Sequence, residues 1–199
     1  IRPRDWSSDV CSSDLLQSGA LGLTVTNDSL ERGLALDYII SAGSGISLDV
    51  ADYLDWMLDD IHGRPKVIGC VIEGLNKPEV FRRVARKAFA QGTAIVVLRS
   101  GRSAMTRELI ASHTGSMVGS AEVADAVFSA DGVISVGDMD QWMEQLVIHA
   151  HAKTPAGRRW FMLSPSGGGN AVMSDIAADI GLAIPQAPRS VVDAMLKIR

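Results

Sequence analysis

The densest chemistry in the chain falls at 111–119, where Ala111, Ser112, His113, Thr114, Gly115, Ser116, Met117, Val118 and Gly119 follow one another. Small residues leave the imidazole of His113 uncrowded, and their N–H groups can approach an oxyanion closely. Two readings fit the segment: a histidine that takes up a phosphoryl group, or a surface-loop histidine beside a helix N-cap supplied by Ser112 or Thr114. Glu73 ends an apolar run at 66–72. A carboxylate there can accept the N–H of one imidazole nitrogen, which leaves the other nitrogen nucleophilic. It can equally be a strand-end carboxylate facing water. With an unperturbed pKa of about 6.5, an imidazole is mostly neutral at pH 7, as a nucleophile must be. Two glycine-containing turns open helices: Gln17-Ser18-Gly19-Ala20 and Ser166-Gly167-Gly168-Gly169. Each helix start offers free N–H groups and about half a unit of positive charge. Placed beside one histidine, they would cradle a phosphorylated imidazole.

The elements that must position these residues follow from hydrophobic periodicity. Helices are predicted over 17–32 (stopped by Gly33), 48–61, 77–90, 121–130 and 139–152, with strands at 36–42, 66–72, 93–98 and 132–136. In the second helix Val50, Leu54, Met57, Leu58 and Ile61 share a face, and Asp49 and Asp52 suit its N-terminus. Pro155, Ala156 and Gly157 read as a linker. Beyond it come a strand at 159–163, a helix over 170–180 ended by Gly181, and one more helix within 188–199. That second unit is too short to close a sheet of its own. Short apolar strands alternating with helices predict an α/β fold: a parallel sheet with helices on both faces. In such sheets the working residues lie at the carboxyl ends of the strands. That layer contains Gly43-Ser44, Glu73, the loop from Leu98 to His113, and 164–169.

The totals exclude several classes. The chain has 199 residues, 47% hydrophobic and 21% charged, so a sizeable core can be buried. A formal charge of −4 argues against a nucleic-acid partner. No apolar run approaches the roughly 18 residues of a membrane span. Two cysteines at unrelated positions point to a reducing compartment, hence the cytoplasm, with Cys70 an inert core residue. No His/Cys/Asp/Glu grouping has metal-ligand spacing, so no metal site is predicted. The other histidines are structural or solvated. His62 lies in a helix–strand turn, and His149 and His151 lie near a helix end, where a cation complements the dipole. The basic run Arg82, Arg83, Arg86 and Lys87 reads as a solvated helix face.

Residues 1–15 have neither helical nor strand periodicity and resemble translated sequencing-adapter DNA. They are set aside from the fold as one sets aside a tag, with the implication that the native product continues upstream. The other reading is a Ser/Asp-rich disordered tail.

From Leu16 to Pro185 the chain resembles the acyl-CoA synthetases of the NDP-forming type (acetate–CoA ligase, ADP-forming), relatives of succinyl-CoA ligase. The matching segments stand in family order: QSGALG at 17–22, DVADYLDWM at 49–57, VIEGL at 71–75, VVLRSGRS at 96–103, SHTGSMVGS at 112–120 and SPSGGGNAV at 164–172. The resemblance implies a flavodoxin-like, succinyl-CoA ligase-type domain at 16–153 that carries the phosphohistidine. It implies the truncated start of a second such domain at 157–199. His113 would take a phosphoryl group from an acyl-phosphate, made from acyl-CoA and phosphate, and pass it to ADP. Glu73 would hold that histidine. Ser18, Gly19, Ala20, Thr114, Gly115, Ser166, Gly167, Gly168 and Gly169 would bind the phosphoryl group, and Gln17, Gly43 and Ser44 the acyl substrate.

The CoA-binding and ATP-grasp domains of the family, with their CoA, ATP or ADP and Mg, match nothing in this sequence. The fragment alone is therefore expected to bind no cofactor, to be inactive, and to need those domains as partners in an oligomeric parent. Two departures stand out. Gly43-Ser44 replaces the family's Gly-Asn, and 1–15 replaces an apolar central strand, which predicts a defective sheet. The same domain set also occurs as a regulatory module of protein acyltransferases; those versions often lack the histidine, so His113 favours the enzyme. A nucleotide- or flavin-binding flavodoxin-like protein is disfavoured, because no G-x-x-x-x-G-K-[ST] loop is present.

Overall fold

The computed structural model describes residues 12–60, 64–101, 103, 105–106, 121–153 and 155–197. The chain forms two compact units, with the break between Ala152 and Lys153.

In the first unit β1 (Ser12–Leu16), β2 (Leu36–Ser41), β3 (Val67–Ile72), β4 (Ala94–Arg99) and β5 (Ile134–Val136) form one sheet of order β2-β1-β3-β4-β5. Every pairing is parallel. This 2-1-3-4-5 order is that of flavodoxin-like folds, and its switch point lies between β1 and β3. The helices are α1 (Gly19–Glu31), α2 (Val50–Leu58), α3 (Pro78–Gln91), α4 (Ala121–Ala130) and α5 (Met139–His151). Alternate strand residues feed two cores. Leu15, Ile68, Cys70, Ile72, Ile95 and Val97 pack with α2, α3 and Phe128. On the opposite face Leu16, Val67, Val71 and Val96 pack with Val25 of α1 and Trp142, Met143 and Leu146 of α5. Each such fully buried side chain stabilises the fold by about 2 kcal/mol.

Local chemistry sets where the helices begin and end, with Gly33 the stop that the sequence predicts. Gly33 and Gly92 take φ of 78° and 79° after α1 and α3, a conformation that glycine reaches without Cβ strain. Asp49 caps α2 in a capping box with Asp52, which shortens that helix to begin at Val50. Val50, Leu54, Met57 and Leu58 form its buried face. Ile61 and His62 lie outside the described residues. The basic face of α3 is paired rather than merely solvated. Arg82 and Arg86 hold Asp131, Lys87 holds Asp55 and Asp59, and Arg83 reaches Asp55. At the end of α5, burial pushes His149 below the ordinary histidine pKa, which favours its neutral form over the expected cation.

Setting residues 1–15 apart from the fold is corrected at one end: Ser12–Leu15 belong to β1, the strand between β2 and β3. The sheet is continuous, but its interior strand β1 is polar at three of five positions. Central parallel strands are normally runs of Val, Ile and Leu. Here Ser13 Oγ and both carboxylate oxygens of Asp14 are buried without a hydrogen-bond partner. Burial pushes the Asp14 carboxyl up to about 7. Parallel pairing explains the result: backbone N–H and C=O groups make the ladder whatever the side chain, and the slot between β2 and β3 must be filled.

The second unit holds α6 (Gly167–Asp179) and α7 (Arg189–Met195). The strand expected at 159–163 is reduced to one parallel bridge between Arg159 and Ala183. A strand exists only through lateral partners, and this unit supplies a single one. Its core is correspondingly thin. Ala177 is buried, while Leu163, Val172, Ile180 and Leu196 are exposed.

Candidate functional site

The carboxyl ends of β1 and β3 meet at the switch point, and Gln17 joins them. Its side-chain oxygen accepts the backbone N–H groups of Glu73 and Gly74, the latter at 3.3 Å. Its amide nitrogen donates to the Gly74 carbonyl at 3.0 Å. Three hydrogen bonds thus fix the turn that presents Glu73, and the side chain assigned to the acyl substrate is largely spent on positioning. Glu73 is half-buried and lines the clefts on both sides of this turn.

Ser18 stands at the N-cap of α1 with extended backbone, yet its hydroxyl makes no capping hydrogen bond. The first turn of α1 contains no acidic residue. The helix start, with its free N–H groups and positive dipole end, borders a cleft of about 370 Å³ through Ser18 and Leu21. Gln17, Ser18, Glu73, Arg99 and Ser100 are the polar residues that line it. Gly19 and Ala20 are exposed, and a Cβ on Gly19 would come no closer than 3.7 Å to Ser41 Oγ.

Gly43 and Ser44 lie in the β2–α2 connection, and both are exposed. Gly43 has φ of 57° with nothing within 4 Å of a Cβ built there. The Ser44 carbonyl accepts Asn76 Nδ2 at 2.9 Å, which ties this loop to the β3–α3 turn. Asp49 reinforces the tie. Beyond capping α2, its carboxylate accepts the N–H groups of Asn76 at 3.1 Å and Lys77 at 3.0 Å. The acyl-contact loop and the Glu73 turn are thus held by one buried carboxylate.

Ser166 caps α6 by accepting the Gly169 N–H at 3.1 Å. Gly167 and Gly168 have nothing within 4 Å of a built Cβ, so that helix start is open within its own unit. His113, Thr114 and Gly115 lie outside the described residues. Among the described residues no group of three His, Cys, Asp or Glu side chains could hold a metal ion.

Sequence reasoning missed three participants: the clamping role of Gln17, the hub role of Asp49, and Arg99. Asp49 carried a signal as a helix-cap residue. The other two depend on which strands become neighbours.

The chain is 32% identical over 166 residues to a trans-feruloyl-CoA synthase from an unknown prokaryotic organism, covering 83% of this chain and 23% of that one. It is 30% identical over 169 residues to the alpha subunit of acetate–CoA ligase (ADP-forming) I of Pyrococcus furiosus, covering 83% and 35%. In structure it resembles the dinucleotide forming acetyl-coenzyme A synthetase 1 of Ca. Korarchaeum cryptofilum in complex with phosphate and ADP. There the TM-score is 0.82 and the identity 26%, over 94% of this chain and 40% of that one. The chain therefore spans well under half the length of the relatives it matches. Residues 15–148 match the succinyl-CoA ligase like flavodoxin domain, and the chain belongs to that family.

Proposed function

We propose that this chain is the phosphoryl-carrying part of an ADP-forming acyl-CoA synthetase. The parent would interconvert acyl-CoA, phosphate and ADP with acid, CoA and ATP. The observation that carries the reading is the pairing at the switch point: a carboxylate, Glu73, on a turn clamped by Gln17, beside a helix start whose Ser18 hydroxyl leaves the first-turn N–H groups free.

The chemistry follows in three balanced steps. Phosphate displaces CoA from acyl-CoA, giving an acyl-phosphate. A neutral imidazole nitrogen of His113 attacks its phosphorus; the N–P bond forms, the P–O bond to the acyl group breaks, and the carboxylate leaves. ADP then takes the phosphoryl group, regenerating the imidazole. Glu73 would accept the N–H of the other ring nitrogen and stabilise the positive charge that develops on it. Ser18, Gly19 and Ala20, with Thr114 and Gly115, would hold the phosphoryl oxygens. Ser166 to Gly169 would do so from the second unit. CoA, nucleotide and Mg would be bound by other domains of the parent, in a homo- or hetero-oligomer. A cytoplasmic setting fits the free, buried Cys70.

The test supplies the CoA-binding and ATP-grasp domains in trans, with labelled nucleotide. An acid-labile phosphate should form on the chain and disappear in His113→Ala. Label that persists in the variant overturns the assignment. Steady turnover by the purified chain alone would refute the expectation that it needs those domains.

A further inference from the structure

A second cleft, of about 360 Å³, lies on the other side of the Glu73 turn, between α3 and α4. Its walls are mostly apolar, with Ile72, Leu75, Phe81, Val127 and Phe128 among them. Phe81 and Phe128 stand with their ring centroids 5.4 Å apart. One buried charge reaches this cleft. Arg99 ends β4 with only 8% of its surface exposed. Strand alternation puts its side chain on the face of Ile95 and Val97, the α2/α3 side of the sheet. There its Nε and Nη2 are buried without a hydrogen-bond partner. A guanidinium stays charged at every physiological pH, and buried N–H groups without an acceptor cost free energy. The other arginine lining the cleft, Arg82, already pairs with Asp131 at 2.7 Å.

We propose that this cleft binds a small monocarboxylate with an apolar tail, its carboxylate held by Arg99 and its tail packed against Phe81, Val127 and Phe128. The two unmatched donors belong to one edge of the guanidinium, where the Nε–H and Nη2–H bonds run parallel. That edge fits the two oxygens of a carboxylate side by side. Apolar walls around one fixed polar group are the usual make-up of a small-molecule pocket, and this cleft is at the small end of their range of about 300–1,000 Å³. Glu73 and Glu79 also line it. Their charges admit a monoanion neutralised by Arg99 and oppose a dianion such as hydrogen phosphate. The site is separate from Gly43 and Ser44, which lie in the β2–α2 connection. It rests on Arg99 and the cleft, and not on the synthetase reading.

Ligand-detected NMR titration of the full chain, at constant ionic strength in chloride, reads the dissociation constant with benzoate as the probe. Benzoate should bind saturably. Acetate lacks the tail, and benzamide keeps the shape without the charge; each should bind about tenfold or more weakly. Arg99→Met should weaken benzoate by about tenfold or more. Arg99→Lys, which keeps charge without the fork, should fall between. Val127→Trp fills the apolar part of the cleft and keeps the guanidinium. It should abolish benzoate binding, and it tests the site even if the Arg99→Met chain does not fold. Inorganic phosphate at equal concentration should not displace benzoate. Benzoate that binds no better than acetate or benzamide, that phosphate displaces, or that Arg99→Met or Val127→Trp holds like the wild type, overturns the proposal. Absence of histidine labelling in the trans experiment would sink the synthetase reading and leave this site standing; labelling without Arg99-dependent benzoate binding would do the reverse.

Discussion

Changing Asp14 to asparagine should turn a pH-dependent protein into a much less pH-dependent one. The carboxyl sits in the middle of β1 with both oxygens unpartnered, and burial raises its pKa from 3.8 to about 7. The folded state therefore holds this proton more tightly than the unfolded chain. Below about pH 4 both states are protonated and the group costs nothing extra. Between about pH 4 and pH 7 stability falls by about 1.4 kcal/mol per pH unit, and above that the loss levels off at about 4 kcal/mol. For a domain of ordinary stability, about 5–15 kcal/mol, that is a large fraction. Urea unfolding should be measured across this range for the wild type, Asp14→Asn and Asp14→Leu. The asparagine variant removes the charge and keeps the buried polar group, so its advantage should grow with pH towards about 4 kcal/mol. The leucine variant has nearly the same shape and removes the unpaired polar atoms too. It should gain about 1–3 kcal/mol more at all pH values. An advantage of Asp14→Asn that stays constant with pH would refute the reasoning.

Three further outcomes are expected. Gln17→Leu should cost about 1–3 kcal/mol by stripping the Glu73–Gly74 turn of its acceptor, and hydrogen exchange should show those two amides losing protection while the β3 amides keep theirs. Asp131 is held below the ordinary carboxylate range, first by its hydrogen bond to Arg82. Its contribution is thus present above about pH 4 and lost as pH falls through the lowered value. Asp131→Asn should destabilise by about 1–3 kcal/mol at pH 7, a difference that urea unfolding should find shrinking in acid. Burial and the neighbouring Asp14 push the Cys70 thiol up. Iodoacetamide should therefore modify it only after denaturation, and peptide mapping of native and unfolded samples decides.

The same sheet carries both the liability at Asp14 and the site at Glu73, because β1 supplies Asp14 inside and Gln17 at its carboxyl end. Repairing the strand should therefore stiffen the frame on which Glu73 is held. Proposed function and stability meet in that one strand.

What the sequence by itself determined is what local pattern can carry. Apolar runs at 66–72 and 93–98 specify buried parallel strands, a helical face in Val50, Leu54, Met57 and Leu58 specifies α2, and Gly33 specifies where α1 stops. Motif order at 17–22, 71–75 and 164–172 identified the family. The tertiary structure decided everything that depends on a partner distant in the chain. It seated Ser12–Leu16 between β2 and β3, turned Gln17 into a clamp on a turn more than fifty residues away, and paired the basic face of α3 with Asp55, Asp59 and Asp131. It left residues 159–163 with one bridge and Arg99 with none of its buried N–H groups matched. The reason is physical. Periodicity reports which face of an element is apolar, whereas backbone ladders, ion pairs and desolvation are settled between elements, and only the assembled sheet brings those elements together.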